Sequence, residues 1–205
     1  NAYYSTIVKG LSAKVFRTYL ASSVVTKYLR ECENVASETK MKKLFHAKLA
    51  NLDAAIMCNH KRTIPKNFEA SLQKKRDTLK NVESTKPWET SESLLKKTQS
   101  KITKTEKQKE MQRERIKKIK TTIKNRKVKH AERIEKLELQ VSLSEKTRDY
   151  NLGTSLRNYI DPRIFKIWTD EVGADWEKLY TSALQKKFLW VKDIKSNWNK
   201  ISNEY

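Results

Sequence analysis

The chain has 205 residues, of which 45 are Lys or Arg and 24 are Asp or Glu, giving a formal net charge of +21. Such an excess of positive charge points to a polyanionic partner, DNA or RNA before a membrane surface, and no apolar run approaches the roughly 20 residues that cross a bilayer. Three Gly and three Pro in the whole chain favour long helices over many turns. Cys32 and Cys58 have neither metal-like spacing nor a reason to pair, so a reducing compartment is expected. The sequence opens at Asn1, without an initiator Met and already in helical pattern, and reads as a piece of a longer protein. No secretory signal is visible.

Ser12 is a candidate N-cap, and residues 13–30 are predicted to be helical, with Phe16, Leu20, Val24 and Tyr28 on the buried side. Arg17 lies at the edge of that stripe, where an arginine either snorkels from a half-buried face or meets an anion. Residues 31–40 are polar and read as a connection. Residues 42–59 form a second expected helix, with Phe45, Leu49, Leu52 and Ile56 on one face. His60 stands where that helix ends, a place where histidine partners the helix dipole, and Pro65 prevents continuation. His46 and His130 have no constellation around them and are assigned no role.

From residue 66 to about 146 the composition shifts to Lys, Arg, Glu, Gln, Ser and Thr, and the apolar residues thin to a narrow stripe. Phe68, Leu72, Leu79 and Val82 form one run. Ile116, Ile119, Ile123, Ile134, Leu137 and Val141 form another, at roughly heptad spacing. Narrow stripes on highly charged helices indicate a two-stranded coiled coil, which one chain makes as an antiparallel hairpin. The tip is expected between about 100 and 108, where Thr105 and Gln108 have capping-box spacing, with a kink near Pro87. Contact with nucleic-acid phosphates and a solvated spacer are equally open readings of this basic run, and they are compatible.

Residues 150–153 are expected to reverse the chain before Gly153-Thr-Ser-Leu-Arg-Asn-Tyr-Ile-Asp-Pro-Arg163. Asp161 and Pro162 have the form of an N-cap and a first helical position. Ile164, Phe165, Ile167 and Trp168 give the next helix its apolar side, and Gly173 ends it. Asp175 is expected to cap a helix bearing Trp176, Leu179 and Tyr180, and Phe188, Leu189, Trp190 and Val191 form a final buried stretch. Trp168, Trp176 and Trp190 read as core rather than as base-stacking platforms. Trp198 and Tyr205 lie in a polar tail to which no order is assigned. No segment alternates as a strand does, so the fold class is all-α.

Taken alone, Tyr159 with Arg157, Asn158 and Arg163 reads as a connector whose tyrosine packs on a core. Two other stretches change that reading. Val15-Phe-Arg17-Thr-Tyr and Cys58-Asn-His60-Lys-Arg62 offer an arginine and a histidine that can meet Tyr159 at one phosphate. Arg, His and Tyr together suit phosphoryl transfer to tyrosine: the phenol attacks, and the cationic groups hold the phosphorane oxygens.

In order, Gly10-Leu-Ser-Ala-Lys-Val-Phe-Arg-Thr-Tyr19, Ile56-Met-Cys-Asn-His-Lys-Arg62 with Pro65-Lys66, and the stretch 153–163 resemble the type IB DNA topoisomerases of eukaryotic type. Glu177-Lys-Leu-Tyr180 and Lys187-Phe-Leu-Trp190 are similar to the family's closing helices, while the hairpin matches in composition only. The resemblance implies a C-terminal part of the catalytic core over 1–65, a coiled-coil linker over 66–147, and a small helical C-terminal domain over 148–205. By position, Tyr159 corresponds to the nucleophile, Arg17 to a catalytic arginine, His60 to the catalytic histidine, and Asn158 to an asparagine beside the nucleophile. The family's second arginine and its lysine fall upstream of Asn1, which implies an incomplete site in this chain alone. The family's Ser-Lys-x-x-Tyr reads Ser155-Leu-Arg-Asn-Tyr159 here, so Leu156 stands at the lysine position and Arg157 adjoins it.

The resemblance further implies ATP-independent relaxation of supercoiled DNA through a 3′-phosphotyrosyl intermediate, with no metal or other cofactor. The implied partners are double-stranded DNA and the preceding part of the same enzyme. A monomer, located in a nucleus or nucleoid, with no membrane and no small-molecule substrate, completes the expectation. A tyrosine recombinase also uses Arg, His and Tyr, but its histidine precedes an arginine by three positions, unlike His60-Lys-Arg62. A non-enzymatic basic coiled-coil module that grips nucleic acid explains the charge and hairpin, but leaves the order Arg17, His60, Tyr159 as coincidence.

Overall fold

The protein is described here from a computed structural model, which covers residues 2–32 and 34–205. It is all-α. In chain order the helices are α1 (Ala2–Ile7), α2 (Ala13–Glu31), α3 (Lys40–Met57), α4 (Phe68–Ser84), α5 (Glu89–Gln99), α6 (Glu106–Lys146), α7 (Leu152–Asn158), α8 (Pro162–Val172), α9 (Ser182–Lys187) and α10 (Trp198–Asn203). Short 3-10 turns lie at Val35–Ser37, Trp176–Leu179 and Leu189–Asp193. No strand occurs among the described residues, and an isolated antiparallel bridge joins Lys61 to Tyr150. The chain divides into two compact units, Asn1–Phe68 with Ser142–Tyr205, and Glu69–Val141.

The second unit is an antiparallel helical hairpin. Pairs across it run in opposite order along the two arms: Thr85 with His130, Ser91 with Arg126, Glu92 with Lys127, and Thr98 with Gln112. The reversal falls between α5 and α6, inside the expected interval. There Thr105 Oγ1 accepts from the Gln108 amide, and Gln108 Oε1 accepts from the Thr105 and Lys104 amides. This reciprocal pair satisfies amides that the start of a helix leaves without partners. The first arm breaks between α4 and α5, at Pro87. His130, given no role from sequence, is buried at this break, with Nε2 3.0 Å from the Thr85 carbonyl and its ring edge-on to Trp88. Arg126 donates to the Pro87 carbonyl and to Ser91 Oγ across the same break. Of the expected stripe, Leu72, Val82, Ile119 and Ile123 are buried, while Ile116, Ile134, Leu137 and Val141 are half-buried. That is the burial a seam only two helices wide provides.

The first unit packs α2 against α3, with α7, α8 and the closing segments around them. Its core holds Ala21, Val25, Leu29, Ala47, Ala50 and Ala54 together with Ile164, Phe165, Trp168, Trp176, Phe188, Val191 and Ile201. The expected faces of α2 and α3 need correction. Phe16 is 47% exposed, Leu20 50% and Ile56 46%. The buried face of α2 is instead Ala21, Ser22, Val25, Thr26 and Leu29, whereas on α3 the expected Leu52 is buried together with Ala47, Ala50, Asn51, Ala54 and Ala55. Small side chains let the two axes approach closely, so the contact is built from residues that weigh little in a reading based on apolar size. α3 also runs two residues earlier at each end than the expected 42–59.

The end of the chain departs from expectation as well. Residues 152–158, expected within a reversal and connector, form α7, begun by Asn151 Oδ1 accepting from the Gly153 amide. Asp161 and Pro162 do start α8, and Gly173 ends it at φ 71°, a left-handed conformation that favours glycine. Asp175 makes no side-chain cap and pairs with Lys178 instead. Leu189 and Trp190 are exposed, because the 3-10 turn there buries Val191 alone. Trp168 and Trp176 are core. The polar tail is ordered, with Ile201 fully buried and Tyr205 Oη donating to Asp161 Oδ2 over 2.7 Å.

Phe165 is the largest fully buried side chain. Truncating it in Phe165→Ala is expected to lower the unfolding free energy by about 3–5 kcal/mol. Denaturant titration checks this, and a loss below about 1 kcal/mol would mean that the core collapses into the space without penalty.

Candidate active site

Three stretches far apart in sequence meet at the Tyr159 ring. Tyr159 follows the last turn of α7, and its amide donates to the Ser155 carbonyl over 2.9 Å. Ile160, buried, anchors the two-helix connector, and the Asp161 amide donates to Ser22 Oγ on α2. Asp161 then caps α8 by accepting from the Arg163 amide, and also receives Arg163 Nε and Tyr205 Oη. The half-buried tyrosine is therefore held from both sides, while no hydrogen bond engages its hydroxyl among the described residues.

His60 is positioned by the way α3 ends. Asn59 adopts φ 55°, and the amides of Asn59 and His60 return to the carbonyls of Ile56 and Ala55 at 2.9 and 2.8 Å. This is the paired closure in which a left-handed residue satisfies the last carbonyls of a helix. It turns the His60 ring to 5.2 Å, centroid to centroid, from the Tyr159 ring. The His60 carbonyl accepts from the Asn151 amide at the start of α7, so the histidine loop and the tyrosine helix share a backbone bond.

Arg17 projects from α2 and completes the cluster. Its Cζ lies 5.2 Å from the Tyr159 ring centroid, and one terminal nitrogen donates to the Cys58 carbonyl over 2.9 Å. A guanidinium over a phenol face gains roughly 0.5–1 kcal/mol at an accessible site. Arg17 is exposed, so the guanidinium beside the phenol remains accessible. Arg157 and Asn158 do not join this cluster. Both are exposed and line a neighbouring cleft of about 610 Å³ with Lys14, Lys187 and Trp190.

Burial, and then the Arg17 charge, push the His60 imidazole below its ordinary pKa. His60 Nδ1 is buried without a partner. Leaving an N–H without an acceptor is more costly than leaving a lone pair, so the neutral ring keeps its proton on Nε2. The histidine is then a neutral Nε2–H donor at pH 7. The unfolded chain, with a histidine near pKa 6.5, takes up a proton before the folded one does. The stability that neutral His60 contributes is full above about pH 6.5 and is lost as pH falls through the lowered folded value. His60→Gln should therefore show a flatter dependence of unfolding midpoint on pH between about 7 and 5 than the parent chain. Parallel curves would show that the ring titrates alike in both states.

Sequence reasoning passed over Asn51, buried on α3, and named Ser155, buried on α7, only as the first position of the Ser-x-x-x-Tyr159 stretch, although the two bond to each other. The available signal was an asparagine inside the small-residue run Ala50-Asn51-Leu-Asp-Ala-Ala55, a place where a polar side chain must find a partner. No group of three or more metal-ligating side chains occurs among the described residues.

Two family descriptions match the chain. "Eukaryotic DNA topoisomerase I, catalytic core" covers residues 1–94, and "C-terminal topoisomerase domain" covers residues 131–200. The chain belongs to the eukaryotic DNA topoisomerase I family. The core match contains Arg17 and His60, and the C-terminal match contains Tyr159. The chain is 33% identical over 199 residues to DNA topoisomerase 1 of Rattus norvegicus, covering 95% of this chain and 24% of that protein. It is 32% identical over 197 residues to DNA topoisomerase 1 of Homo sapiens, with the same shares. With DNA topoisomerase 1 alpha of Arabidopsis thaliana it shares 30% over 203 residues, 97% of this chain and 21% of that protein. The chain thus spans about a quarter of the length of these topoisomerase I relatives.

Proposed function

We propose that this chain supplies the nucleophile and part of the phosphate-binding group of an enzyme that relaxes supercoiled DNA by cutting and resealing one strand. The observation that carries the reading is the convergence of Arg17 and His60 on the Tyr159 ring, each 5.2 Å from it. Tyr159 Oη attacks a backbone phosphorus. The P–Oη bond forms, the P–O5′ bond breaks, and the strand end leaves as a 5′-hydroxyl. The phenol gives up its proton to solvent, and the leaving O5′ takes one from solvent, so the exchange balances. Arg17 binds two phosphoryl oxygens with its planar fork, and His60 Nε2–H donates to a non-bridging oxygen as charge builds there. Rotation of the free strand about the intact one removes supercoils, and attack by the 5′-hydroxyl reverses the chemistry. One phosphodiester is exchanged for another, so no ATP is consumed.

The upstream arginine and lysine make the preceding part of the enzyme a required partner. An exposed apolar face supports this. Ile7, Val8, Val15, Phe16, Tyr19 and Leu20 are all exposed on α1, α2 and the loop between them, around Arg17. So contiguous an apolar surface calls for a covering partner, and the absent core is the occupant that also completes the site. Within this reading residues 1–65 belong to the catalytic core, 66–147 are the linker and 148–205 are the C-terminal domain. The enzyme acts on double-stranded DNA as a monomer in the nucleus.

The test joins this chain to its preceding core and supplies supercoiled plasmid without ATP and without a recombination site. Relaxation, with a protein–DNA adduct mapped by mass spectrometry to Tyr159 and a 3′-phosphate linkage, is the expected result. Adducts formed only at a specific paired site would favour a recombinase. Binding without any adduct would leave a nucleic-acid-binding module.

A further inference from the structure

Beneath the Tyr159–His60 pair lies a buried polar contact that the mechanism above does not use. Asn51 is 4% exposed and Ser155 fully buried. Ser155 Oγ donates to Asn51 Oδ1 over 2.7 Å, and Asn51 Nδ2 donates to the Leu152 carbonyl over 3.1 Å. One asparagine on α3 thus grips both the first turn and the middle of α7. Ser155 is also the residue whose backbone carbonyl receives the amides of Tyr159 and Ile160, at 2.9 and 3.1 Å. Asn51 therefore holds the residue that in turn holds the tyrosine backbone. Nine residues further along, the helix that carries Asn51 delivers His60, whose carbonyl receives the Asn151 amide.

We infer that Asn51 is a positioning residue for strand cleavage: through Ser155 it sets the spacing and orientation of Tyr159 against His60. The inference rests on the function proposed above. Its physical basis is that, beside the Asn151 amide on the His60 carbonyl and Lys187 Nζ on the Arg157 carbonyl at the two ends, Asn51 makes the buried side-chain bond to the middle of α7. That helix has seven residues, starts with Leu-Gly-Thr-Ser and buries only Ser155 and Leu156. A helix so short, with glycine and two hydroxyl residues in its first turn, has no independent stability. Its place is set by what it bonds to. Without Asn51, Ser155 Oγ is left with the Leu152 carbonyl of its own helix at 3.1 Å, so the side-chain tie between α3 and the middle of α7 is lost and α7 is free to shift. A displacement of about 1 Å at a reacting group lowers the rate by up to about 100-fold. Asn51 is buried away from the surface that DNA would meet, so DNA affinity should not follow that loss.

The experiment uses the complete enzyme and single-turnover cleavage of a suicide DNA substrate, with DNA affinity and the unfolding midpoint measured in parallel. Asn51→Ala and Ser155→Ala should each slow cleavage at least tenfold with DNA affinity changed less than twofold. The double variant should be no slower than the worse single one, because both act through the same bond. Asn51→Asp supplies the readout that loss of packing does not produce. The aspartate keeps the shape and the acceptor for Ser155, but when ionised it opposes the Leu152 carbonyl. When protonated, its hydroxyl replaces the lost donor. Burial raises a carboxyl pKa, so the cleavage rate of this variant relative to the parent should recover as pH falls toward 5. Parent-like cleavage by Asn51→Ala and Ser155→Ala would overturn the inference. So would cleavage losses that only track affinity or the folded fraction, fully additive losses, or an Asn51→Asp ratio flat with pH. If the parent enzyme itself formed no adduct at Tyr159, the proposed function would fall and the inference with it. Parent activity with unaffected variants would remove the inference alone.

Discussion

Tyr159→Phe in the complete enzyme should abolish the covalent DNA adduct while leaving DNA affinity within about twofold. The substitution removes one oxygen, and no hydrogen bond engages that oxygen among the described residues. The ring, with its contacts to Arg17 and His60, stays in place. Affinity for DNA comes mainly from many phosphate contacts, to which one phenol adds little. Relaxation should fall by more than about 10⁴, since removal of a nucleophile leaves only what positioning and charge achieve alone. A denaturing gel with end-labelled DNA reads the adduct, and its appearance in the variant would show that another residue attacks.

Arg17→Ala and His60→Ala should each reduce the cleavage rate by about 10²–10³, the usual consequence of deleting one donor to a developing oxyanion. The two losses should differ in kind. Arg17 also donates to the Cys58 carbonyl and covers the Tyr159 ring, so its removal loosens the histidine loop as well as removing charge. Lysine at 17 retains the charge but not the fork, and should recover only a small part of the rate. In the proposed mechanism His60 donates through a neutral Nε2–H, so glutamine, which carries an N–H at similar reach, should recover more than alanine does. Rapid-quench cleavage assays beside equilibrium binding separate the two effects. Equal losses of binding and cleavage would place these residues in substrate docking instead.

Much of this molecule could be read from its residues where a local rule governs the outcome. Asp161-Pro162 and Gly173 bound α8 because capping and left-handed backbone are decided within a few residues. Thr105 and Gln108 close the hairpin tip for the same reason. The order Arg17, His60, Tyr159 was visible because each stands in a recognisable stretch, although their convergence depends on how α3 ends, which no periodicity reveals. What was missed depends on tertiary packing. Phe16 and Leu20 outweigh Ala21 and Ser22 in any apolar count, yet the small residues make the α2–α3 contact. α7 was hidden because its residues favour a connector, and it is helical through bonds to α3. Trp190 was assigned to the core as part of the apolar run 188–191, and a 3-10 turn places it outside.

The pairing of Lys61 with Tyr150, flanked by the bonds from Arg62 to Asp149 and from Asn151 to His60, has an evolutionary consequence. The chain leaves one unit and returns to it through neighbouring residues, so nearly ninety positions of sequence are bracketed by a few backbone bonds. Entropy charges little for the length of such a detour: doubling it adds only about 0.6 kcal/mol to closing the loop. Selection on the bracket and selection on the insert are therefore nearly independent. Lineages are free to lengthen, shorten or recharge the insert at almost no thermodynamic penalty to the tyrosine, whereas a change at either foot bears on it directly.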